Sequence, residues 1–294
     1  MPAPADRPLT RHDLYEICVQ SPAHLVPLLR AIPETPPRVL GEDFSGTAAL
    51  SIAWAEHAAE HSAVAADLDA EALAHHPDHP RVKKVCADVM DVRDPCDVLF
   101  VGNFSIGYWH TRADLLRYLR HAHARLARSA SPRSPSDLRS APLPSAIPAA
   151  GGVFVCDTYG GESAFVRGAV HRDHWLTGEH VLQGHRGKRV RYTWEQRDAD
   201  PLTGMVTDVL HFRVIDVDQT ITEEFDDAFV YRWRLWSVPE LRDAMLEAGF
   251  ARTEVFAKVA DAVDTEGNAY ITPVRDPAEE LEDSFIVLVA AYTA

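Results

Sequence analysis

The sequence predicts an α/β fold in which a doubly wound, mostly parallel sheet carries an inserted antiparallel sheet. Short apolar runs alternate with helical segments from residue 38 onward, which is the pattern of parallel strands covered by helices. Between residues 188 and 234, longer segments typical of antiparallel strands are separated by turn residues. Apolar residues make up 46% of the chain and charged residues 25%, which is an ordinary composition for a globular protein.

The segment 1–37 is predicted to be helical and to precede the sheet. Its first ten residues are rich in Pro and Ala, whereas residues 13–30 place apolar side chains on one side of a helix. Pro22 and Pro27 are expected to break this helix into pieces, because proline disrupts a helix interior.

Residues 38–128 are predicted to contain four strands and three helices. The strands are 39–40, 63–67, 81–87 and 97–101, and the helices are 47–61, 69–76 and 111–128. The continuous apolar run 97–101 is typical of a strand that is buried on both faces. Leucines recur at helical spacing in 111–128, and Thr111 can cap the N-terminus of that helix.

The rest of the chain is predicted to contain two insertions within one domain, 38–294. Residues 129–150 are rich in Ser, Pro and Ala, and we expect a disordered insertion there. Residues 188–234 are expected to form an antiparallel insertion on the substrate side. The other predicted elements are strands at 151–157, 191–197, 205–217, 221–233, 252–259 and 284–291, a helix at 237–249 and a surface excursion at 260–283.

Charge and composition exclude several classes of protein. The chain has 29 basic and 44 acidic residues and a net charge of −15, which argues against binding to nucleic acid. No apolar run is long enough to span a bilayer, and the N-terminus lacks the layout of a signal peptide. The four Cys form no C-x-x-C pair and the 15 His show no metal-ligand spacing. We therefore expect a cytoplasmic protein without a bound metal.

Residues 42–48, Glu-Asp-Phe-Ser-Gly-Thr-Ala, form the most informative motif, between the first predicted strand and the first helix. Gly46 lets a ligand approach the main chain, because it has no Cβ. A helix N-terminus attracts anions, so a phosphate site would favour a neutral or basic turn here. The carboxylates of Glu42 and Asp43 instead suit a ligand that brings hydroxyl groups and a positive charge, as S-adenosylmethionine does.

Further polar residues follow the next strands, at the sheet edge where doubly wound folds bind ligands. Asp67 and Leu68 follow the second strand, and the Asp67 carboxylate can accept two hydrogen bonds from a ribose diol. Asp88 and Val89 follow the third strand, where a carboxylate can receive an adenine amino group while the apolar neighbour packs on the ring. Small and polar residues at 102–107 follow the fourth strand and can form the floor beneath a reacting methyl group.

This series resembles the class I S-adenosylmethionine-dependent methyltransferases, which have a Rossmann-like fold, over residues 38–157 and again over 236–293. The resemblance implies S-adenosylmethionine as the cofactor, with Glu42 or Asp43 facing the methionine ammonium. It also implies that Asn103 and Phe104 lie beside the sulfonium. The cofactor-binding residues predicted in this way are Glu42, Asp43, Phe44, Ser45, Gly46, Thr47, Asp67, Leu68, Asp88, Val89, Asn103 and Phe104.

Two residues are candidates for catalysis. His110 is the better placed, because histidine titrates near neutral pH and could act as a general base. Tyr108 lies two residues earlier. The alternative for His110 is a surface position before the helix that begins at Thr111, and the alternative for Tyr108 is a place in the core.

Four residues are candidates for the acceptor pocket. Trp109 can attract a cationic amine, and Tyr159 follows the fifth strand, where Gly160 and Gly161 are expected to let the loop move. Tyr15 could fold over the site as a lid or pack in a core. Arg234 could pair with a carboxylate of the acceptor.

We therefore expect methyl transfer from S-adenosylmethionine to a small-molecule N or O acceptor, without nucleic-acid or membrane partners, by a monomer or homodimer. A catalytically silent member of this fold remains an alternative, because Phe44 and Ala48 occupy places where the family commonly has glycines. A dinucleotide-dependent oxidoreductase would need a G-x-G-x-x-G turn, which residues 41–46 do not supply.

Overall fold

A computed structural model describes residues 7–127, 151–177 and 183–294. The predicted insertion 129–150 lies outside the described residues. The chain divides into two compact units: the smaller comprises Met1–Ser21 and Glu162–Leu235, and the larger comprises Pro22–Gly161 and Trp236–Ala294. The predicted segment 1–37 thus contributes to both units. Within the described part of the chain, no helix has the length and apolar character needed to cross a bilayer.

The described residues contain thirteen strands and seven α-helices. The strands are β1 (Val39–Asp43), β2 (Ser62–Asp67), β3 (Val82–Cys86), β4 (Val98–Val101), β5 (Val153–Gly161), β6 (Gly168–Trp175), β7 (Arg189–Asp200), β8 (Met205–Ile215), β9 (Ile221–Arg234), β10 (Arg252–Ala257), β11 (Ala262–Val263), β12 (Ala269–Tyr270) and β13 (Ser284–Tyr292). The helices are α1 (Arg11–Cys18), α2 (Pro22–Ala31), α3 (Ala49–His57), α4 (Ala70–Leu73), α5 (Arg112–Ala127), α6 (Val238–Ala248) and α7 (Pro277–Glu280).

The larger unit is built on a seven-stranded sheet in the order β10-β13-β5-β4-β1-β2-β3. The ladders joining β3, β2, β1, β4 and β5 are parallel, whereas β13 runs antiparallel to both of its neighbours. The chain proceeds outward from β1 to β3 and then returns to place β4 on the other side of β1. This reversal is the topological switch point at which doubly wound sheets bind ligands. The predicted fold class is confirmed.

Helices cover both faces of this sheet, and β4 shows why its sequence is continuously apolar. Val98 and Phe100 belong to a core cluster on the α2 and α3 side, with Leu29 and Trp54. Leu99 and Val101 alternate with them and pack in a second cluster, on the α5 and α6 side. Because successive strand residues face opposite ways, a strand covered on both faces needs apolar residues at every position.

The structure corrects the predicted elements of the larger unit at three places. The first helix begins at Ala49 rather than residue 47, because Ala48 has left-handed backbone angles (φ 63°) and its N–H bonds to the Ser45 carbonyl in a tight turn. Pro27 lies inside α2, so only Pro22 marks a break. The predicted excursion 260–283 contains the β11–β12 hairpin and α7.

The carboxyl ends of β1 and β5 also extend beyond their predicted limits. Glu42 and Asp43, expected in a turn, are the last residues of β1. Tyr159, Gly160 and Gly161 belong to β5 and pair with β13 in register. The prediction that this glycine pair forms a mobile loop is therefore wrong, since the ladder to β13 fixes its backbone.

The smaller unit contains a four-stranded antiparallel sheet in the order β6-β7-β8-β9, together with α1. The antiparallel insertion is confirmed, and it is longer than the predicted 188–234 because β6 was not expected. Leu14 of α1 packs with Val190, Phe212 and Val214 in a separate core cluster. In the larger unit, the Thr158 hydroxyl donates to the Trp236 carbonyl at 3.1 Å. The points where the chain leaves and re-enters the larger unit are therefore close together.

Candidate active site

The carboxylate of Asp43 points into the core of the larger unit. It is fully buried, and both of its oxygens accept hydrogen bonds from Arg125 Nη1, at 2.8 and 2.9 Å. The Tyr118 hydroxyl donates a further bond at 2.8 Å. Arg125 is only 2% exposed. Because this carboxylate already has a buried cation and a hydroxyl as partners, Glu42 is the remaining candidate for a ligand ammonium.

Glu42 is buried at the carboxyl end of β1. Its Oε2 accepts hydrogen bonds from the Ser51 hydroxyl at 2.6 Å and from the Ser51 N–H at 3.1 Å. Burial raises the pKa of Glu42 to about 7, because desolvation disfavours the charged form; the Ser51 bonds oppose this shift, and Asp67 and Asp43 add to it. A cationic ligand beside Glu42 would favour the ionised form near neutral pH.

The β1 turn, residues 44–48, has an unusual backbone. Phe44, Gly46 and Ala48 all have positive φ angles, of 60°, 56° and 63°. Non-glycine residues rarely adopt this region, and such outliers concentrate at functional sites. The hydroxyl oxygen of Ser45 is buried and has no hydrogen-bond partner within the described part of the chain. A buried hydroxyl normally has a partner, so a ligand with a polar group would complete this turn.

Asp67 connects the β1 turn to the end of β2. Its Oδ2 accepts from the N–H of Gly46 at 2.7 Å, and its Oδ1 accepts from the N–H of Asp69 at 2.8 Å. Each carboxylate oxygen has a second acceptor position, so both can also receive hydroxyl groups. Leu68 is 72% exposed beside it. The structure thus joins three of the predicted cofactor residues, Gly46, Asp67 and Leu68, at one sheet edge.

Asp88 and Val89 follow β3 and have different surroundings. The exposed Asp88 accepts the Met90 N–H at 2.8 Å and caps a short 3₁₀ helix, Val89–Asp91. The Val89 side chain is 4% exposed and packs in the core of the larger unit. Their contact with an adenine ring remains a prediction.

The β4 turn, residues 102–104, is the second strained segment at this edge. Asn103 and Phe104 have φ angles of 52° and 62°. Both of their N–H groups donate to the carboxylate of Asp157, at 3.1 and 2.7 Å. The Phe104 ring packs edge-on against Tyr159, with ring centroids 4.9 Å apart. Asp157 was not among the predicted site residues, and its position after the apolar run at 153–156 was the available signal.

Aromatic side chains pack against one another beside the β1 turn. Tyr108 is 42% exposed and stacks on Phe44, with centroids 5.5 Å apart. Trp109 stacks on Tyr118 at 5.0 Å and meets Phe44 edge-on at 6.3 Å. The Nε1 donor of Trp109 is buried and lacks a hydrogen-bond partner among the residues that the structure describes. The exposed His110 follows directly.

Two predicted acceptor residues belong to the smaller unit. Tyr15, on α1, packs against Phe229 with ring centroids 5.0 Å apart. Arg234 is the last residue of β9. Their roles toward an acceptor remain predictions, whereas Tyr159 and Trp109 lie in the larger unit with the strand-end residues.

Comparison with solved structures identifies the fold. The chain is similar to the sugar N-methyltransferase KedS8 from Streptoalloteichus, with 17% identity, a TM-score of 0.59, and 98% of this chain and 94% of that chain covered. The chain has the methyltransferase fold. It is also similar to DesVI from Streptomyces venezuelae, with 16% identity, a TM-score of 0.61, and 96% and 95% covered.

A third similar structure is CalS10 with bound S-adenosylmethionine, an amino pentose methyltransferase from Micromonospora echinaspora involved in calicheamicin biosynthesis. It is 16% identical with a TM-score of 0.57, and 98% of this chain and 99% of that chain are covered. No protein-family model matches the chain, and no curated protein sequence does. The similarity to methyltransferase structures therefore covers nearly the whole chain, including the residues of both units.

Proposed function

We propose that this protein transfers a methyl group from S-adenosylmethionine to a nitrogen or oxygen atom of a small molecule. The observation that carries the proposal is the β1 turn: a strained segment, bonded to the carboxylate of Asp67, whose buried Ser45 hydroxyl lacks a partner among the described residues. Such a turn at the switch point of a doubly wound sheet suits a ligand with several polar groups.

The chemistry of the strand-end residues fits each part of the proposed cofactor. Asp67 can accept the two ribose hydroxyls. Glu42, whose carboxylate accepts only from Ser51 among the described residues, suits the ammonium, whereas Asp43 is already paired with Arg125. Asp88 can accept the adenine amino group. When bound, S-adenosylmethionine supplies an electrophilic methyl group on a sulfonium.

A sugar amine is the acceptor class to test first. The solved structures KedS8 and CalS10 are described as a sugar N-methyltransferase and an amino pentose methyltransferase. In this chain, the rings of Tyr108 and Trp109 pack against Phe44 of the β1 turn. Aromatic faces attract ammonium groups, so these rings suit a cationic amine before it loses its proton.

The protein's own contribution to the reaction would be positioning and proton removal. Methyl transfer needs the acceptor atom, the methyl carbon and the sulfur in line, and such positioning is worth roughly 7–11 kcal/mol in favourable cases. An ammonium acceptor must lose a proton before it attacks, and the exposed His110 is the candidate base. Phe44 and Ala48, which raised the catalytically silent alternative, adopt φ angles of 60° and 63°, in the region that glycine favours.

Calorimetric titration tests the cofactor, with S-adenosylmethionine, its demethylated product S-adenosylhomocysteine and NAD as ligands. Micromolar binding of the first two, without NAD binding, is expected. The Asp67→Ala variant should lose affinity, whereas the Asp78→Ala variant serves as the matched control because its carboxylate is 100% exposed. A folded protein that binds neither adenosyl ligand would contradict the proposal. A screen of amino sugars and hydroxylated analogues with labelled cofactor then tests the acceptor.

A further inference from the structure

The β4 turn is held by a buried carboxylate that belongs to the neighbouring strand. Asp157, on β5, is fully buried. It accepts three hydrogen bonds: from the N–H of Asn103 at 3.1 Å, the N–H of Phe104 at 2.7 Å and Lys258 Nζ at 2.6 Å. Two of these bonds fix consecutive residues in left-handed geometry, which a free turn of non-glycine residues would not keep.

Lys258 brings the compensating charge from the far edge of the sheet. It follows β10, and its side chain is 23% exposed. Its Nζ lies 5.9 Å from the centroid of the Phe104 ring. Its own backbone carbonyl meets the ring nitrogen Nε2 of His24 at 2.8 Å, which anchors the residue to α2. A buried carboxylate is costly unless it is paired, so the Lys258 ammonium stabilises Asp157 beneath the turn.

We propose that Asp157 and Lys258 are positioning residues of the donor site, which hold the β4 turn and keep its floor electrically neutral toward the sulfonium. This inference rests on the proposed function and on the position beside Asn103 and Phe104 that the resemblance of the sequence implies for the positively charged sulfur. Asp157 sets the shape of the turn through its two N–H bonds. Lys258 cancels the negative charge of Asp157, and Asp157 shields the bound cofactor from the positive charge of Lys258.

The neighbouring charges of Asp157 and Lys258 should affect the two cofactor forms differently, because their sulfur atoms differ in charge. S-adenosylmethionine carries a sulfonium, whereas the sulfur of S-adenosylhomocysteine is neutral. In the Asp157→Asn variant, the ammonium of Lys258 loses its counter-ion and repels the sulfonium of S-adenosylmethionine but not the neutral sulfur of S-adenosylhomocysteine; its effects on the ammonium and carboxylate that both ligands share cancel in the comparison. We expect this variant to lose about tenfold more affinity for S-adenosylmethionine than for S-adenosylhomocysteine, because like charges repel each other appreciably in protein surroundings.

Calorimetry on the full chain tests this through the ratio of the dissociation constant of S-adenosylmethionine to that of S-adenosylhomocysteine. This ratio should rise in Asp157→Asn and return to the wild-type value when Lys258→Met is added. It should stay at the wild-type value in Lys258→Arg. The matched control is Asp94→Asn, which removes the carboxylate partner of Lys83, 2.7 Å away, in an exposed pair of the same unit. Melting temperatures confirm that each variant is folded.

If Asp157→Asn loses the same affinity for both ligands, the pair only supports the fold and the inference is overturned. A shift of the ratio that Lys258→Met does not reverse would also overturn it. If Asp157→Asn does not fold, Lys258→Met alone decides. In Lys258→Met, the unpaired carboxylate of Asp157 should shift the ratio in the opposite direction, in favour of S-adenosylmethionine, and an unchanged ratio would overturn the inference. Wild-type protein that binds neither ligand overturns the proposed function itself, whereas a wild type that binds both leaves only the inference at stake.

Discussion

Replacing Glu42 by Gln should remove a pH dependence from the stability of the protein. The pKa of Glu42 is raised to about 7 in the folded protein, from an ordinary value of 4.5, because burial disfavours the carboxylate. Below pH 4.5 the group is protonated in both the folded and the unfolded chain, so it has no effect on the pH slope. Between these two values the unfolded chain ionises first, and the free energy of unfolding falls as pH rises.

The size of the effect follows from the two pKa values. The difference is roughly 2.5 units, and each unit corresponds to about 1.4 kcal/mol, so the loss of stability is about 3 kcal/mol in total. This loss of stability is complete once pH rises through about 7, because above that value Glu42 is ionised in both the folded and the unfolded chain. Gln keeps the carbonyl oxygen that accepts from Ser51, so the substitution removes the titration without removing that acceptor.

Chemical denaturation at a series of pH values measures this effect as the difference between wild type and Glu42→Gln, in which all other titrating groups cancel. The exposed Glu56→Gln serves as the control and should follow the wild type. If the wild-type and Glu42→Gln curves run parallel between pH 4.5 and 7, the burial argument for Glu42 is refuted. Saturating S-adenosylmethionine should shift the wild-type transition toward lower pH, because a bound ammonium favours the carboxylate.

Three other predictions concern the site and its support. Asp67→Ala should weaken S-adenosylmethionine binding by about 1–3 kcal/mol through lost hydrogen bonds, and unchanged affinity in calorimetry would remove Asp67 from the site. His110→Ala should reduce turnover far more than cofactor affinity, measured by single-turnover kinetics with a labelled methyl group; full activity would leave His110 as a surface residue. Arg125→Met should lower the free energy of unfolding by about 3–5 kcal/mol, because it strands the buried Asp43 carboxylate. Addition of Asp43→Asn should recover part of that loss in urea denaturation, and a double variant no more stable than Arg125→Met would contradict the ion-pair argument.

The strands of the larger sheet could be predicted because burial on both faces leaves a local signal. The run 97–101 is apolar at every position, and its residues alternate between the two cores. β6 gave no such signal: its residues, with the exception of His174, are exposed, so Gly168–Trp175 shows neither a continuous apolar run nor a clear alternation.

The positions of candidate site residues could be predicted where they follow from strand ends, and not where they depend on distant partners. Glu42, Asp67 and Asn103 lie at the predicted edge of the sheet because each ends or follows a strand; their roles stay predictions. The ion pair of Asp43 could not be predicted, since its partner Arg125 is 82 residues away in the chain. Asp157 was missed for the same reason, because it bonds to Lys258 across 101 residues.

The hydrogen bond between Thr158 and the Trp236 carbonyl has a consequence for how this protein can be modified. It brings together the two points between which residues 162–235 are inserted, so a linker of a few residues can close the larger sheet in their absence. The nine-residue ladder between β5 and β13 lies outside that insertion and would remain intact. Residues 162–235, together with the N-terminal segment whose Leu14 packs on them, can therefore be exchanged as a cassette while the larger sheet is left unchanged.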